Sequence, residues 1–214
     1  MTRFRIAVVL FLLSSVLCSQ DTQDGTGLPI HVMVPMRDNV RLATDLYLPG
    51  DGKFPAILCR TPYDKSGEKA NGDYYSSHGY AYVAQDTRGR YASEGTWKFL
   101  IDDGRDGEEA VNWIARQPWC NGKVGTIGTS YVGGTQHALA MRRPNALVTS
   151  IPVDAVSNPG RHGIRNGGAF ELRFWNWIML NAAKGSRASK NPQTLQQLQA
   201  MRRAGEPAKG SCDV

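Results

Sequence analysis

Cysteine is scarce and scattered. Cys18, Cys59, Cys120 and Cys212 never stand in CxxC spacing, so the chain carries no zinc signature. With Cys18 set aside in a candidate leader, the odd number that remains argues against a disulfide framework. Long runs of one charge are missing too. Lysine and arginine outnumber aspartate and glutamate by 25 to 19. The two signs are interspersed, however, and the basic runs stop at pairs, Arg142-Arg143 and Arg202-Arg203. That excludes the basic stripe which nucleic-acid binding requires, and the net charge of +6 reads as solvated surface. No repeat period is visible, no G-x-G-x-x-G and no G-K-[ST] occurs, and 23 Gly and 11 Pro in 214 residues are ordinary proportions. These absences exclude a solenoid, the dinucleotide and phosphate loops, and a collagenous or wholly disordered chain. What is present, 41% hydrophobic and 21% charged residues, suits one globular domain with a short appendage.

The appendage is N-terminal. Arg3 and Arg5 precede an apolar stretch, IAVVLFLLSSVL at 6–17, and Cys18-Ser19 offers small residues for cleavage. Twelve residues of helix reach only about 18 Å against the ~30 Å hydrocarbon core, so stable membrane insertion is not expected. Leu17 is not the small residue a lipid-anchored Cys18 would need before it. Residues 1–19 are therefore read as a signal peptide, which implies a secreted or periplasmic protein.

Beyond it the pattern is α/β. Ile30, Val32 and Val34 alternate with His31 and Met33. Val40, Leu42 and Leu46 follow after a turn at Arg37-Asp38-Asn39, which predicts an antiparallel hairpin. Ala56–Cys59 and Tyr80–Ala84 are nearly continuous apolar runs, as in strands buried on both faces of a parallel sheet. Cys59 reads as a small buried hydrophobe. A polar segment, 64–78, separates the two runs. Asp102–Gln117 is helical by pattern, with Ala110, Val111, Ile114 and Ala115 on one face, acids in the first turns and Pro118 past the end. Val124–Gly128 is a strand, Tyr131–Arg143 a helix and Leu147–Val153 a strand. The alternation predicts a mostly parallel sheet with helical crossovers. After Ser157 the order dissolves, except for a polar helix around Asn191–Arg203.

One segment carries chemistry. KVGTIGTSYVGGTQHALA sets Ser130 between a strand and a helix, with Gly125, Gly128, Gly133 and Gly134 around it. This is the context of a nucleophile elbow, where small neighbours let strand and helix approach and the hydroxyl stands clear. The following helix offers free N–H groups and a positive dipole end to a developing oxyanion. Strict G-x-S-x-G fails by one place, because Val132 precedes Gly133. A second reading has Ser130 simply capping the helix, and the pattern alone leaves both open.

Five blocks then carry a resemblance: RDNVRLATDLYLP (37–49), RTPYDK (60–65), QDTRGRYASEG (85–95), DGRDGEEAVNWIARQPWCNGKVG (103–125) and GTSYVGGTQ (128–136). In this order they resemble the serine hydrolases grouped with cocaine esterase, the α-amino acid ester hydrolases and the X-Pro dipeptidyl peptidases (the CocE/NonD type). That family's elbow is G-x-S-Y-x-G, which accounts for the displaced glycine. The resemblance implies an α/β-hydrolase fold in which Ser130 is the nucleophile and the Tyr63 phenol is one oxyanion donor. The backbone N–H of Tyr131 is the other. Taken by itself, Tyr63 reads as a packed aromatic with a satisfied hydroxyl. The Asp86–Gly89 and Ser93–Gly95 loops are read as structural, with Arg88 tying them together. Trp175 and Trp177 are placed at the opening of a helical cap, lining an acyl or leaving-group pocket.

A serine nucleophile of this fold needs an acid and then a histidine later in the chain. His137 lies about two helical turns past Ser130 and is poorly placed to reach it. His162 sits in an irregular segment, and Asp154 ends the strand after the elbow helix, where acids sometimes serve. In the family both partners follow the cap, so neither triad acid nor histidine is expected in this chain. The resulting expectation is the N-terminal part of a longer enzyme, poorly stable alone and at most feebly active. Its parts would be 1–19 as signal peptide, 20–156 as hydrolase domain, 157–203 as the beginning of a cap and 204–214 as an irregular tail. The chemistry is acyl transfer on a small ester or peptide substrate, with no metal and no cofactor; the other reading is a non-catalytic chain that keeps the elbow without the triad.

Overall fold

The computed structural model describes residues 28–177, except 157, 159, 160, 162 and 163, together with 191–193, 196 and 200. The expected signal peptide, His162 and the tail lie outside the described residues, as does most of the helix expected at 191–203.

The alternating N-terminal pattern forms the hairpin. Strands β1 (Ile30–Pro35) and β2 (Arg41–Tyr47) pair antiparallel from Ile30 against Leu46 to Pro35 against Arg41. The turn closes through Met36 N–H to Val40 O at 2.8 Å, with Asn39 at a left-handed φ of 63°. The apolar runs become β3 (Phe54–Thr61) and β4 (Ala81–Asp86). Every residue of β4 is buried, as a strand covered on both faces requires. With β5 (Cys120–Thr129) and β6 (Leu147–Val153) they form one six-stranded sheet in the order β1-β2-β4-β3-β5-β6. The β4–β3, β3–β5 and β5–β6 pairings are parallel, and the two involving β2 are antiparallel.

Helices cover the two faces. On one, α2 (Asp103–Ala115) and α3 (Tyr131–Ala140) close over Leu58, Val83 and Val124 with Ala110, Val111, Ile114 and Leu139. On the other, Tyr47, Cys59, Tyr82 and Ala84 form a second cluster. There the segment read as a polar connection turns out to be a 3-10 turn, Lys65–Glu68, followed by helix α1 (Lys69–Ser77). Hydrophobic periodicity misses α1 because it buries only Gly72 and Ser76. Gly72 lies so close to the Tyr47 ring that a Cβ there would stand 2.5 Å from it. Tyr75 of the same helix stacks on Tyr82, 5.4 Å between centroids.

The basic side chains are not all solvated surface, as the composition had implied. Arg60, Arg88 and Arg90 are buried, and so are Asp103 and Asp106 in the first turn of α2. Arg88 grips Asp106 through two bonds, Nε to Oδ2 at 2.8 Å and Nη2 to Oδ1 at 2.7 Å, and reaches Asp38 of the hairpin turn at 2.7 Å. Arg37 adds a third donor to Asp106 at 2.9 Å. The acids that read as dipole partners of α2 are thus the counterions of buried guanidinium groups. Burial alone would raise the Asp106 carboxyl, but its hydrogen bonds to Arg88 and Arg37 and the charge of Arg60 hold it below the usual carboxylate range.

Among the described residues β6 pairs only with β5, and Val148, Ile151 and Val153 are about half exposed. A short hairpin follows, β7 (Arg165–Asn166) with β8 (Ala169–Phe170), and then α4 (Leu172–Trp177). Among the described residues no helix is long and apolar enough to cross a membrane.

Candidate active site

Ser130 stands between β5 and α3 in a conformation that a non-glycine residue rarely adopts, φ 59° and ψ −116°. Such a backbone costs about 1–3 kcal/mol and persists only where its surroundings over-determine it. Here its N–H donates to Val153 O and its carbonyl accepts from Gly134 N–H, both at 2.9 Å. Gly128, at φ 149°, completes the elbow, because a Cβ there would lie 2.1 Å from Val132 Cγ1. The Ser130 side chain is exposed and makes no capping bond to α3. The helix-cap reading therefore fails, and the hydroxyl is left pointing out of a strained turn.

Tyr131 is the first residue of α3, so its N–H has no partner inside the helix. Tyr63 follows the end of β3. Its turn is pinned by Tyr63 N–H to Thr61 Oγ1 at 3.0 Å and by buried Arg90, whose Nε donates to Pro62 O at 2.9 Å. The Tyr63 ring meets the Tyr131 ring edge-on, 6.4 Å between centroids, so the structure brings these two expected residues together at the elbow. Trp177 of α4 donates its indole N–H to the Tyr63 hydroxyl oxygen at 3.1 Å. That bond fills a lone pair of the phenol and leaves its proton available to another acceptor. Burial pushes the Tyr63 phenol above its usual value, against the opposing effects of Trp177 and Arg90, so at neutral pH it is a donor.

Trp177 and Tyr131 stack at 19°, and Trp97, Phe99 and Phe174 complete a cluster of rings around them. Sequence reasoning had named Trp177 for the pocket, but missed Trp97, Phe99 and Arg90, whose guanidinium lies 5.1 Å above the Trp97 ring. The side chain of Trp175 lies outside the described residues. Tyr63 and Thr129 line a cavity of about 440 Å³ whose wall also carries Glu68.

Among the described residues the basic partners of a serine are not assembled at Ser130. His137 sits in the last turn of α3, roughly 10 Å of helix beyond Ser130. His31 pairs with Asp45 at 2.5 Å, but on β1 and β2, separated from β5 by β4 and β3. His78 bonds the Tyr74 carbonyl at 2.6 Å. Asp154, exposed at φ 45°, directly follows the Val153 that holds the Ser130 amide. Among the described residues no three acids, histidines or cysteines gather in a way that would hold a metal ion.

A mostly parallel sheet carrying a serine at a strained strand-to-helix turn defines an α/β hydrolase. The model of the X-Pro dipeptidyl-peptidase (S15) family matches residues 38–213, and the chain belongs to that family. Among curated proteins it is similar to the cocaine esterase of Rhodococcus sp. (strain MB1 Bresler), 46% identical over 129 residues, covering 57% of this chain and 22% of the relative. Among solved structures, an α-amino acid ester hydrolase superposes with a TM-score of 0.66 at 26% identity, covering 88% of this chain and 39% of that one. A CocE/NonD family hydrolase from Staphylococcus aureus (TM-score 0.67, 24% identity, 81% of this chain and 35% of that one) shows the same fold. The chain spans between a fifth and a quarter of the length of the curated relatives it matches.

Proposed function

We propose that this chain carries the nucleophile and oxyanion hole of a serine hydrolase that cleaves an ester or amide bond, on a dipeptidyl or α-amino acyl substrate or another acyl ester, through an acyl-enzyme at Ser130. The observation that carries the reading is Ser130 itself, a strained, exposed serine whose hydroxyl does not cap its helix. In the reaction the Ser130 oxygen attacks the substrate carbonyl carbon while a base takes the hydroxyl proton. The carbonyl oxygen becomes an oxyanion, held by the Tyr63 phenol and the Tyr131 amide. The bond to the leaving group then breaks as that proton passes to it, and water releases the acyl group by the same steps in reverse. The base and its orienting acid are not found at Ser130 among the described residues, and a longer chain of this family would supply them. An N-terminal leader and export fit the apolar stretch at 6–17.

The test is labelling of the 214-residue chain with a fluorophosphonate, with Ser130→Ala as control. Labelling that disappears in Ser130→Ala supports the hydrolase and places an activating group within this chain. A soluble, folded wild-type chain that stays unlabelled favours the second reading for this chain, an elbow that does not react by itself.

A further inference from the structure

The Tyr131 side chain is bound at its far end. Its hydroxyl donates to Asp103 Oδ2 at 2.9 Å and accepts from Trp97 Nε1 at 3.1 Å and from the Leu100 amide at 3.2 Å. The residue whose backbone N–H is the proposed second oxyanion donor is thus clamped through its own phenol. Asp103 is buried, and its other oxygen, Oδ1, lies 3.3 Å from Arg60 Nη1, which also donates to the Asp103 carbonyl at 2.6 Å. Arg60 is buried in β3, three residues before Tyr63, and its Nε is fixed on Gln85 Oε1 at 2.9 Å. One carboxylate therefore divides its oxygens between the two segments that lead to the proposed oxyanion donors. Oδ1 faces the guanidinium of the strand that leads into the Tyr63 turn, and Oδ2 accepts from the phenol of the residue whose amide is the second donor.

We propose that Asp103 is a positioning residue of the oxyanion hole, fixing the Tyr131 amide relative to Tyr63 through the Tyr131 phenol and the Arg60 guanidinium. This rests on the hydrolase reading of Ser130 and adds to it a source of precision. Two donors on separate segments, the turn after β3 and the start of α3, are useful only when their separation is fixed, and the loss of about 1 Å of alignment can cost about 100-fold in rate. An isolated ion pair placed for stability would have no need to engage the phenol. A carboxylate suits both roles, because Oδ2 accepts from the phenol while its charge faces the Arg60 guanidinium; an amide carries no charge and can turn its NH₂ toward either partner.

The experiment compares the wild-type chain with Tyr131→Phe, which keeps the ring and its stacking, and with Asp103→Asn, which keeps the shape of the carboxylate. Hydrogen exchange is followed in segments 60–63, 96–103 and 128–134, with the hairpin 30–47 as internal reference. In both variants exchange should rise roughly tenfold in 96–103 and 128–134 while the hairpin keeps its wild-type rate. Unchanged exchange at 128–134, or an equal rise in the hairpin, would overturn the proposal, the latter by making Asp103 a general stabiliser. The second readout is the maximal rate of Ser130 phosphonylation, expected to fall about 10- to 100-fold at an unchanged half-saturating probe concentration. Wild-type rates in the variants would also overturn it. If wild-type Ser130 does not react in this chain, the elbow is inert without a base, and the exchange measurement alone decides the clamp.

Discussion

At Ser130 the backbone is held against its own preference, and the residue that makes this possible is Gly128. The positive φ of Gly128 and its closeness to Val132 leave no room for a methyl group. Gly128→Ala should destabilise the chain by about 2–4 kcal/mol, combining left-handed strain with overpacking against a buried valine. Urea unfolding would measure the loss, and a midpoint equal to wild type would mean that the elbow is looser than described. The elbow was legible because its determinants are local: strand, glycine, serine and helix lie within about ten residues and each constrains its neighbour. The partner of the Tyr63 hydroxyl was not. Trp177 is 114 positions away, and nothing in the spacing of either residue indicates that an indole N–H will meet that phenol. The same holds for Tyr131, whose place after the serine is plain in the sequence but whose hydroxyl meets Asp103 only through folding.

The elements around the elbow are joined by ions rather than by apolar contact alone. Asp106, in the first turn of α2, receives Arg88 from the loop after β4 and Arg37 from the hairpin turn, and Arg60 of β3 stands 4.0 Å away. Removing one member of such a buried group strands the others without a counterion. Asp106→Ala should therefore cost about 3–5 kcal/mol, whereas Arg41→Ala, which breaks the exposed pair with Glu94, should leave the unfolding midpoint close to wild type. Equal small effects from both would show that the buried arginines find other partners. Helix α2 was legible from its apolar face, but the burial of its acids was not. Acids in a first turn serve the helix dipole whether they face water or an arginine, and only the packing of the hairpin turn against α2 distinguishes the two. Helix α1 stayed hidden for the complementary reason: it packs through Gly72 and Ser76, and small residues leave no periodic signature.

For the whole molecule, these placements set two groups of carboxylates against each other. Asp38 and Asp106 are held below the ordinary range by arginine partners, so each stabilises the fold at neutral pH and loses that contribution on acidification. Asp86 behaves in the opposite way. It is fully buried at the end of β4 and accepts from the Lys65 and Ala92 amides at 2.8 and 3.2 Å. Burial outweighs those bonds and pushes its carboxyl up to about 6, from 3.8. A folded value above the unfolded one means that the folded chain binds the proton more tightly. The contribution is complete below about pH 4 and is lost as the pH rises through about 6, an amount of about 2–3 kcal/mol. Asp86→Asn does not titrate and removes this dependence, whatever it does to the baseline. The stability of wild type minus that of Asp86→Asn, from urea unfolding at a series of pH values, should fall between about pH 4 and pH 7 and then level off. A difference that stays constant across that interval would mean that Asp86 titrates as an ordinary carboxylate, and that its amide partners offset its burial. A difference that grows with pH would mean that those amides, together with Lys65, hold it ionised.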